Sequence, residues 1–563
     1  MTKPYLATDF YKVSHAMNRL NKPALHPESI EYIYEVLTPR QNSFFPYDDK
    51  MVVFGYEFFV ARLLGEWQTE FFDKDWEDIK LDFYVFFEMS DSLVYRSMVE
   101  KLKQLHDLGH LPLEIRSLPE GSLVPMRVPV LSIRNTDPDF YWLPGFLETT
   151  LLANTFVTTG TASVARQFRK IAEHYGDVSA DDKAYIDFQF HDFSQRGQHG
   201  DDAAVLSGIG HLSSFKGTDA VPAVDELLRV YGGLTPDELI GGSVVATEHS
   251  IMESLGGEFG TDKEGQLKAY ESLIDRNPDG VISVVSDTYQ YWDVIDYVLP
   301  QLKEKIMARD GKLVIRPDSL DEYRKATGQT IKSTEDQLVT TLQALYDTFG
   351  GHINSKGYKV LDQHIGLIHG EGITLDNIRP MFDAILNAGF SAENIVFGLG
   401  AYVYSVKVSR DDFGQALKAT ACVIDGKEKV IFKAPHSKKE AFKRSPHGAV
   451  SIHGKSGEYH MIENLTMEEA ARKYNIKKDT VRWRYLHGKR GWDLVDHHDS
   501  SKVYVFIDGE EMTLKEISEA YNIPITTLYH WRKHKKDRCE FETKVHNYKE
   551  EQSIEHEQEL QLS

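Results

Sequence analysis

The residues best suited to chemistry are His191-Asp192-Phe193-Ser194-Gln195-Arg196-Gly197, followed by Phe215-Lys216-Gly217-Thr218-Asp219. They bring an aromatic ring, a guanidinium and a carboxylate close together in sequence, with glycines beside them. A face to stack on, a cation for an anion and an acceptor for an amide suit a flat, polar heteroaromatic ligand meeting a phosphate. Four more islands follow: Ala246-Thr247-Glu248-His249-Ser250, Val284-Val285-Ser286-Asp287-Thr288-Tyr289, Val314-Ile315-Arg316-Pro317-Asp318-Ser319 and His369-Gly370-Glu371-Gly372. Each closes a short apolar run.

The elements that must position these groups follow from that rhythm. From about residue 184 the apolar runs are Tyr185 to Phe188, Ser243 to Ala246, Val281 to Val285, Leu313 to Ile315, Ile365 to Ile368 and Ile395 to Phe397. Amphipathic segments lie between them: Pro222 to Tyr231, Tyr291 to Ile306 and Glu335 to Phe349. Buried strands alternating with helices predict parallel βα units, and a (β/α) barrel carries its functional groups where strands end. A series of polar islands at strand ends is hard to dismiss as punctuation by Gly and Asp. Upstream, Val52 to Leu64 reads as a buried helix. Leu123 to Ile133 reads as strands broken by proline, and a long helix begins near Phe140 and runs to about His174.

The chain has 563 residues, enough for two to four domains, with 41% hydrophobic and 27% charged residues, the composition of a soluble globular protein. Its formal net charge of -22 repels nucleic acid and anionic membranes overall, so an anionic ligand needs a local basic pocket. Cys422 and Cys539 provide no disulfide framework or cysteine-rich metal site, which fits a reducing compartment. Neither a signal-peptide pattern nor a membrane-spanning run is expected. The expected location is the cytoplasm, or a host's cytoplasm if the gene is viral.

Past about residue 455 an internal repeat offset by 47 residues pairs 464–495 with 511–540. Thr466-Met467-Glu468-Glu469 matches Thr513-Leu514-Lys515-Glu516, and Tyr474-Asn475-Ile476 matches Tyr521-Asn522-Ile523. Each copy opens on a capping box and has helix-turn-helix periodicity. Nucleic-acid contact through this repeat is one reading. A packing or assembly appendage is the other, because acids and bases nearly balance there.

Taken together the motifs resemble the nicotinamide phosphoribosyltransferase family, within the type II phosphoribosyltransferases. The resemblance covers about residues 4 to 450. It includes Leu6-Ala7-Thr8-Asp9-Phe10-Tyr11-Lys12, Asn135-Thr136-Asp137-Pro138, Asn354-Ser355-Lys356-Gly357-Tyr358-Lys359, Glu393 to Gly398 and Lys443-Arg444-Ser445. It implies an N-terminal α+β domain over 1–180, a phosphoribosyltransferase barrel over 181–405 and a segment, 406–455, returning to the N-terminal domain. Outside it lie two small all-α helix-turn-helix-like units over 456–545 and a disordered acidic tail over 546–563.

The implied reaction joins nicotinamide to phosphoribosyl pyrophosphate, giving nicotinamide mononucleotide and pyrophosphate. The resemblance assigns the pyridine sandwich to Phe193 and to Tyr11 from the partner subunit of a homodimer. Asp219 accepts from the carboxamide N–H, and Arg316 donates near its oxygen. For the phosphoribosyl and pyrophosphate groups it implies Arg40, Arg196, Gly370, Glu371, Gly400, Ala401, Lys407, Arg410, Lys418, Lys433 and Lys443. His249 is the residue that takes a phosphoryl group from ATP, Asp287 orients it, and Asp318 meets ribose hydroxyls. Mg²⁺ is expected to be held by pyrophosphate and water, with no ligand set from protein side chains. A carboxylate at Asp219 favours nicotinamide over nicotinate, the alternative substrate. A DNA-binding regulator with a ligand-sensing barrel is the alternative from another class.

Three departures stand out. Gly370-Glu371-Gly372 replaces the Gly-Asp-Gly of many relatives and moves the carboxylate by about 1.5 Å, one C–C bond. Gly398-Leu399-Gly400-Ala401 replaces a triple-glycine loop, and the strand and helix that usually follow the Lys-Arg-Ser segment are not evident.

Overall fold

In the computed structural model, the apolar runs past residue 184 supply a sheet of seven parallel strands. Their spatial order is Val245–Ala246, Asp279–Val285, Asp310–Arg316, Ile365–His369, Ile395–Leu399, Phe190–Asp192 and Gly217–Thr218. A parallel bridge between Gly217 and Gly242 joins the two ends of this order. Thr218 N–H donates to the Gly242 carbonyl at 3.0 Å and Gly242 N–H to the Lys216 carbonyl at 2.9 Å, so the sheet closes into a barrel. The structure describes residues 3–87, 92–231, 239–463, 504–507, 510–521, 523–524, 527–528 and 531. Met1–Glu463 and Asn464–Ser563 are separate units.

The strands are apolar because both faces are covered. Ile282, Val284, Leu313, Ile315, Leu367, Ile395 and Phe397 are all at most 1% exposed. Three expectations about this layer are corrected. Tyr185 to Phe188 lies in a 3-10 helix, Ala184–Phe188, and the strand begins at Phe190. Asp187 draws the backbone into that turn. Its carboxylate accepts from Arg169 Nη1 at 2.8 Å and its carbonyl from Lys216 N–H at 2.7 Å. The run at Ser243 contributes only Val245–Ala246, and Val245 is exposed rather than buried. The helix expected over Tyr291 to Ile306 is split into short turns, with a π segment at Val294–Val298 and Pro300 where an amide donor is missing.

A second sheet has five antiparallel strands in the order Lys427–Val430, Ala416–Ile424, Ile30–Thr38, Leu131–Asn135 and Leu113–Ser117. Chain from before and after the barrel therefore meets in one sheet, with Leu417 opposite Leu37. The helix Leu143–Ser179 packs against it, starting with Pro144 in its first turn. Buried Thr155, Thr159 and Ser163 satisfy their hydroxyls on carbonyls one turn back, at 2.7–2.8 Å, so polar residues can sit inside this helix. Val52 to Leu64 is a strand end, Lys50–Val52, followed by a helix, Tyr56–Trp67.

After the Lys-Arg-Ser segment there is a hairpin, Val450–His453 with His460–Glu463, where no strand was expected. In the C-terminal unit, Tyr504–Ile507 pairs with Glu510–Thr513 ahead of the helix Leu514–Tyr521, so the unit is not all-α as expected. The continuous β-branched and aromatic Tyr-Val-Phe-Ile run and the Asp508-Gly509 sequence after it are hairpin signals that the repeat pattern masked. The first repeat copy, 464–495, and the tail, 546–563, lie outside the described residues. No helix among the described residues is long and apolar enough to cross a membrane.

Candidate active site

Every island named from sequence follows the C-terminal end of a barrel strand. Phe193, Arg196, Asp219, Glu248, His249, Arg316 and Asp318 line one cavity of about 950 Å³ there.

Phe193 is seated by glycines. Its N–H donates to the Leu399 carbonyl at 2.9 Å. A methyl group placed on Gly398 would stand 2.2 Å from the Phe193 ring, and one on Gly370 would stand 3.1 Å from it. These two glycines end neighbouring strands and form the floor under the ring, so Gly370, expected at phosphate, faces Phe193. Gly197 meets Ala401 just as closely, at 2.4 Å from a missing Cβ to the Ala401 Cβ, which docks the Gln195–Gly197 turn carrying Arg196 on the Gly400-Ala401 loop. Gly400 itself faces open space. The Glu371 side chain is exposed, and its carbonyl lies 3.1 Å from His369 Nε2.

Asp219 follows Gly217–Thr218. Its Oδ1 lies 3.0 Å from His191 Nε2, and its side chain is 51% exposed, open to a ligand. Burial alone would raise its pKa. The His191 hydrogen bond and charge, Ser243 and the Arg316 charge outweigh burial and hold the carboxyl below its ordinary range. Arg316 Nε is buried with no hydrogen-bond partner among the described residues, and the nearest carboxylate oxygen, Asp318 Oδ1, is 3.8 Å away. A buried donor left open beside an acceptor held ionised is a pair waiting for a polar ligand.

His249 opens the helix His249–Phe259. Its Nδ1 lies 2.9 Å from Thr288 Oγ1, and its Nε2 is 3.6 Å from Asp318 Oδ2. The expected orienting carboxylate is corrected here. Asp287 accepts from Ser319 Oγ, and its Oδ1 is buried without a partner among the described residues. The turn after Val285 aims Thr288, one residue on, at the imidazole. With Nδ1–H donating to Thr288, Nε2 keeps its lone pair on the cavity side.

The remaining cations gather elsewhere. Arg40 Nε donates to the Gly414 carbonyl at 2.6 Å. Arg40 and Lys443 both stand over the Phe442 ring, at 5.7 and 5.5 Å. Burial and the neighbouring Arg410 charge lower the Arg40 pKa. Burial, with Arg40 and Lys433 adding to it, lowers Lys418 against the upward pull of Glu148. Arg40, Arg410, Lys418, Lys433 and Lys443 therefore form one electropositive neighbourhood on the five-stranded sheet. Lys407 stands apart, 5.5 Å from the Tyr402 ring. None of these six lines the barrel cavity. Tyr11 does not line the cavity either: it is 60% exposed, and its ring meets His15.

The cavity wall carries Asp201, Asp219, Glu248 and Asp318 against Arg196 and Arg316. Such a wall does not by itself hold a polyanion. No group of three or more His, Cys, Asp or Glu among the described residues forms a metal cage. Asp318, with Oδ1 3.8 Å from Arg316 Nε and Oδ2 3.6 Å from His249 Nε2, is a carboxylate available to a cation brought in by a ligand.

Two residues of the sequence islands carry roles that the sequence did not assign. His191 bonds Asp219 and packs on Phe193 at 4.8 Å between ring centroids. The signal was there, since residues 191 and 193 alternate along an extended segment and share a side. His369 is buried, with its ring nitrogens 3.3 Å from the Pro317 carbonyl and 3.1 Å from the Glu371 carbonyl. It ties together two of the loops that carry site residues.

Residues 188–477 match the Nicotinate phosphoribosyltransferase (NAPRTase) family. A nicotinamide phosphoribosyltransferase from Acinetobacter baylyi is 37% identical over 446 residues, 77% of this chain and 85% of that protein. One from Xanthomonas campestris pv. campestris is 31% identical over 434 residues, 76% of this chain and 83% of that protein. Among solved structures, nicotinate-nucleotide pyrophosphorylase from Pyrococcus furiosus has a TM-score of 0.47 at 15% identity, covering 82% of this chain and 84% of that one.

Proposed function

The chain belongs to the nicotinate phosphoribosyltransferase family, and from that premise we propose that it is a nicotinamide phosphoribosyltransferase of NAD salvage. The observation that carries the choice of base is Asp219, held ionised in the cavity that Phe193 and Arg316 also line. Phe193 stacks on the pyridine. Asp219 accepts from the carboxamide N–H, and Arg316 Nε donates to the carboxamide oxygen. Nicotinate would set a carboxylate against Asp219, a like-charge contact worth several kcal/mol, on the order of a thousandfold in preference.

The pyridine nitrogen attacks the anomeric carbon of phosphoribosyl pyrophosphate. A C–N bond forms as the C–O bond to pyrophosphate breaks, and pyrophosphate leaves with the electron pair. The nitrogen carries no proton, so no general base is needed, and the ring becomes a pyridinium. The transition state resembles an oxocarbenium ion, so the protein's contribution is to orient the base and anchor ribose and pyrophosphate. Asp318 serves the ribose hydroxyls, with Glu371 on the adjoining loop. Arg196 and the amides of Gly400 and Ala401 serve the phosphate. Mg²⁺, when bound, neutralises the departing pyrophosphate, with Asp318 the available protein carboxylate.

Arg40, Lys407, Arg410, Lys418, Lys433 and Lys443 complete the anion site across a homodimer, together with Tyr11 as the second ring. The acid-rich wall of the single-chain cavity supports this, as does the separation of these groups from it. His249 Nε2 attacks the γ-phosphorus of ATP, forming an N–P bond as the P–O bond to ADP breaks; water then cleaves the N–P bond and releases phosphate, so that ATP hydrolysis is coupled to product formation. The hydrogen bond that His249 Nδ1–H donates to Thr288 Oγ1 supports that role, because it leaves the lone pair on Nε2. The reaction belongs in the cytoplasm.

The test is product formation from each base with phosphoribosyl pyrophosphate, with and without ATP. Nicotinamide should be preferred and ATP should stimulate. A preference for nicotinate overturns the assignment, and indifference to ATP removes the role of His249.

A further inference from the structure

Lys12 is nearly sealed from solvent. Its side chain is 6% exposed, and its ammonium is paired with Glu148 Oε2. The other carboxylate oxygen, Glu148 Oε1, stands 3.6 Å from Lys418 Nζ. Three distant parts of the chain meet at this carboxylate: the helix Phe10–Val13, the helix Leu143–Ser179 and the strand Ala416–Ile424. Glu35 and His15 adjoin them. Both come within 3.8 Å of where a side chain on Gly145 would begin.

The two lysines are not equivalent. Lys12 neighbours Tyr11 in the chain, and its ammonium lies 5.5 Å from the Tyr11 ring. Lys418 belongs to the electropositive neighbourhood, and the Arg40 and Lys433 charges bear on it. A buried ammonium is unfavourable unless it is paired, so Lys12 depends on Glu148 far more than an exposed lysine would. Glu148 also offsets the repulsion that Lys418 feels from its cationic neighbours.

We propose that Glu148 is a positioning residue that fixes the helix bearing Tyr11 to the block bearing Lys418 and shares its charge between Lys12 and Lys418. The stacking ring and a pyrophosphate-binding lysine are thereby presented as one unit, and the strength of the anion site depends on how firmly Lys12 holds the carboxylate. This rests on Tyr11 and Lys418 acting as ligands of the base and of pyrophosphate.

The two ends of the link respond in opposite senses. Glu148→Gln loosens the Tyr11 helix, which Asp9 still ties to Thr149, and leaves Lys418 with Arg40 and Lys433 beside it and Glu35 as the carboxylate still bearing on it, a stronger field for an anion. Lys12→Gln also loosens the helix, but it turns the whole Glu148 charge toward Lys418. The experiment is steady-state kinetics of the full chain for both substrates, with thermal melting as a check on folding. Each variant should raise the nicotinamide KM about tenfold, the equivalent of one lost ionic contact. The phosphoribosyl pyrophosphate KM should fall or hold in Glu148→Gln and rise in Lys12→Gln. A purely structural role would move both KM values in the same direction in both variants, and that result overturns the proposal. Tyr11→Ala separates the premises. A raised nicotinamide KM in Tyr11→Ala with unchanged values in the other two overturns the link alone. An unchanged value in Tyr11→Ala overturns the stacking role and the link with it.

Discussion

His191 Nε2 lies 3.0 Å from Asp219 Oδ1, and the same imidazole leans on Phe193 at 4.8 Å between ring centroids. One residue thus touches both the ring that stacks and the acid that selects. The bond occupies one Asp219 oxygen and Ser243 also bears on the carboxylate, yet the side chain is 51% exposed and within reach of a ligand amide. Asp219→Asn keeps the shape and removes the charge. A hydrogen bond to a charged group is worth about 1.5–3 kcal/mol, so kcat/KM for nicotinamide should fall roughly ten- to a hundredfold. The nicotinate-to-nicotinamide ratio should rise at the same time. Competition assays with both bases measure this, and an unchanged ratio would show that Asp219 does not read the amide.

ATP coupling depends on the side chain that holds His249. Thr288 Oγ1 is 2.9 Å from His249 Nδ1, whereas Asp287 is engaged by Ser319. His249→Ala should abolish coupled ATP hydrolysis and leave basal transfer. Thr288→Val should lower coupled hydrolysis about tenfold, the cost of about one hydrogen bond in orienting the nucleophile. Asp287→Asn should do less, because it reaches His249 only through the turn. Phosphate release measured beside product formation ranks the three, and a larger loss in Asp287→Asn than in Thr288→Val reverses the assignment.

The glycines at the strand ends divide by what stands above them. Gly398→Ala drives a methyl to 2.2 Å from the Phe193 ring, while Gly400→Ala meets open space. Overpacking of this kind costs about 1–3 kcal/mol. Gly398→Ala should lower the melting temperature and raise the nicotinamide KM together, since the displaced group is the stacking ring. Gly400→Ala should leave melting almost unchanged and act, if at all, on phosphoribosyl pyrophosphate. Melting curves and the two KM values decide.

Strand ends were legible because buried runs are apolar and their ends are polar. That contrast placed Phe193, Asp219, His249, Arg316 and Asp318 on what proves to be one cavity wall. The partner of each group was less legible. Asp287 and Thr288 are adjacent, and only the turn decides which of them faces His249. Gly370 reads as a phosphate glycine until the Phe193 ring is seen above it. Pairings across long stretches of chain, such as Lys12 with Glu148 at 136 residues' separation, leave no periodic mark at all. The pairing of Tyr504–Ile507 with Glu510–Thr513 did carry a local signal, the apolar β-branched and aromatic run before Asp508-Gly509, which the helical repeat overshadowed.

Glu35 gives a pH dependence with a definite sign. Burial first, then the Glu148 charge, raise its pKa from 4.5 to about 7 against the pull of Lys12 and Lys418. The folded state then binds more protons than the unfolded chain between those two values, so this group lowers stability as pH rises through that window. At about 1.4 kcal/mol per unit the full shift amounts to at most about 3.5 kcal/mol, and the partial exposure of Glu35 reduces it. Glu35→Gln should therefore melt close to the parent at pH 5 and above it at pH 8, with a flatter profile between. Melting at half-unit pH steps measures the slope. A parent protein that grows more stable from pH 5 to pH 8, with Glu35→Gln following the same curve, would mean that Glu35 is already ionised in the fold.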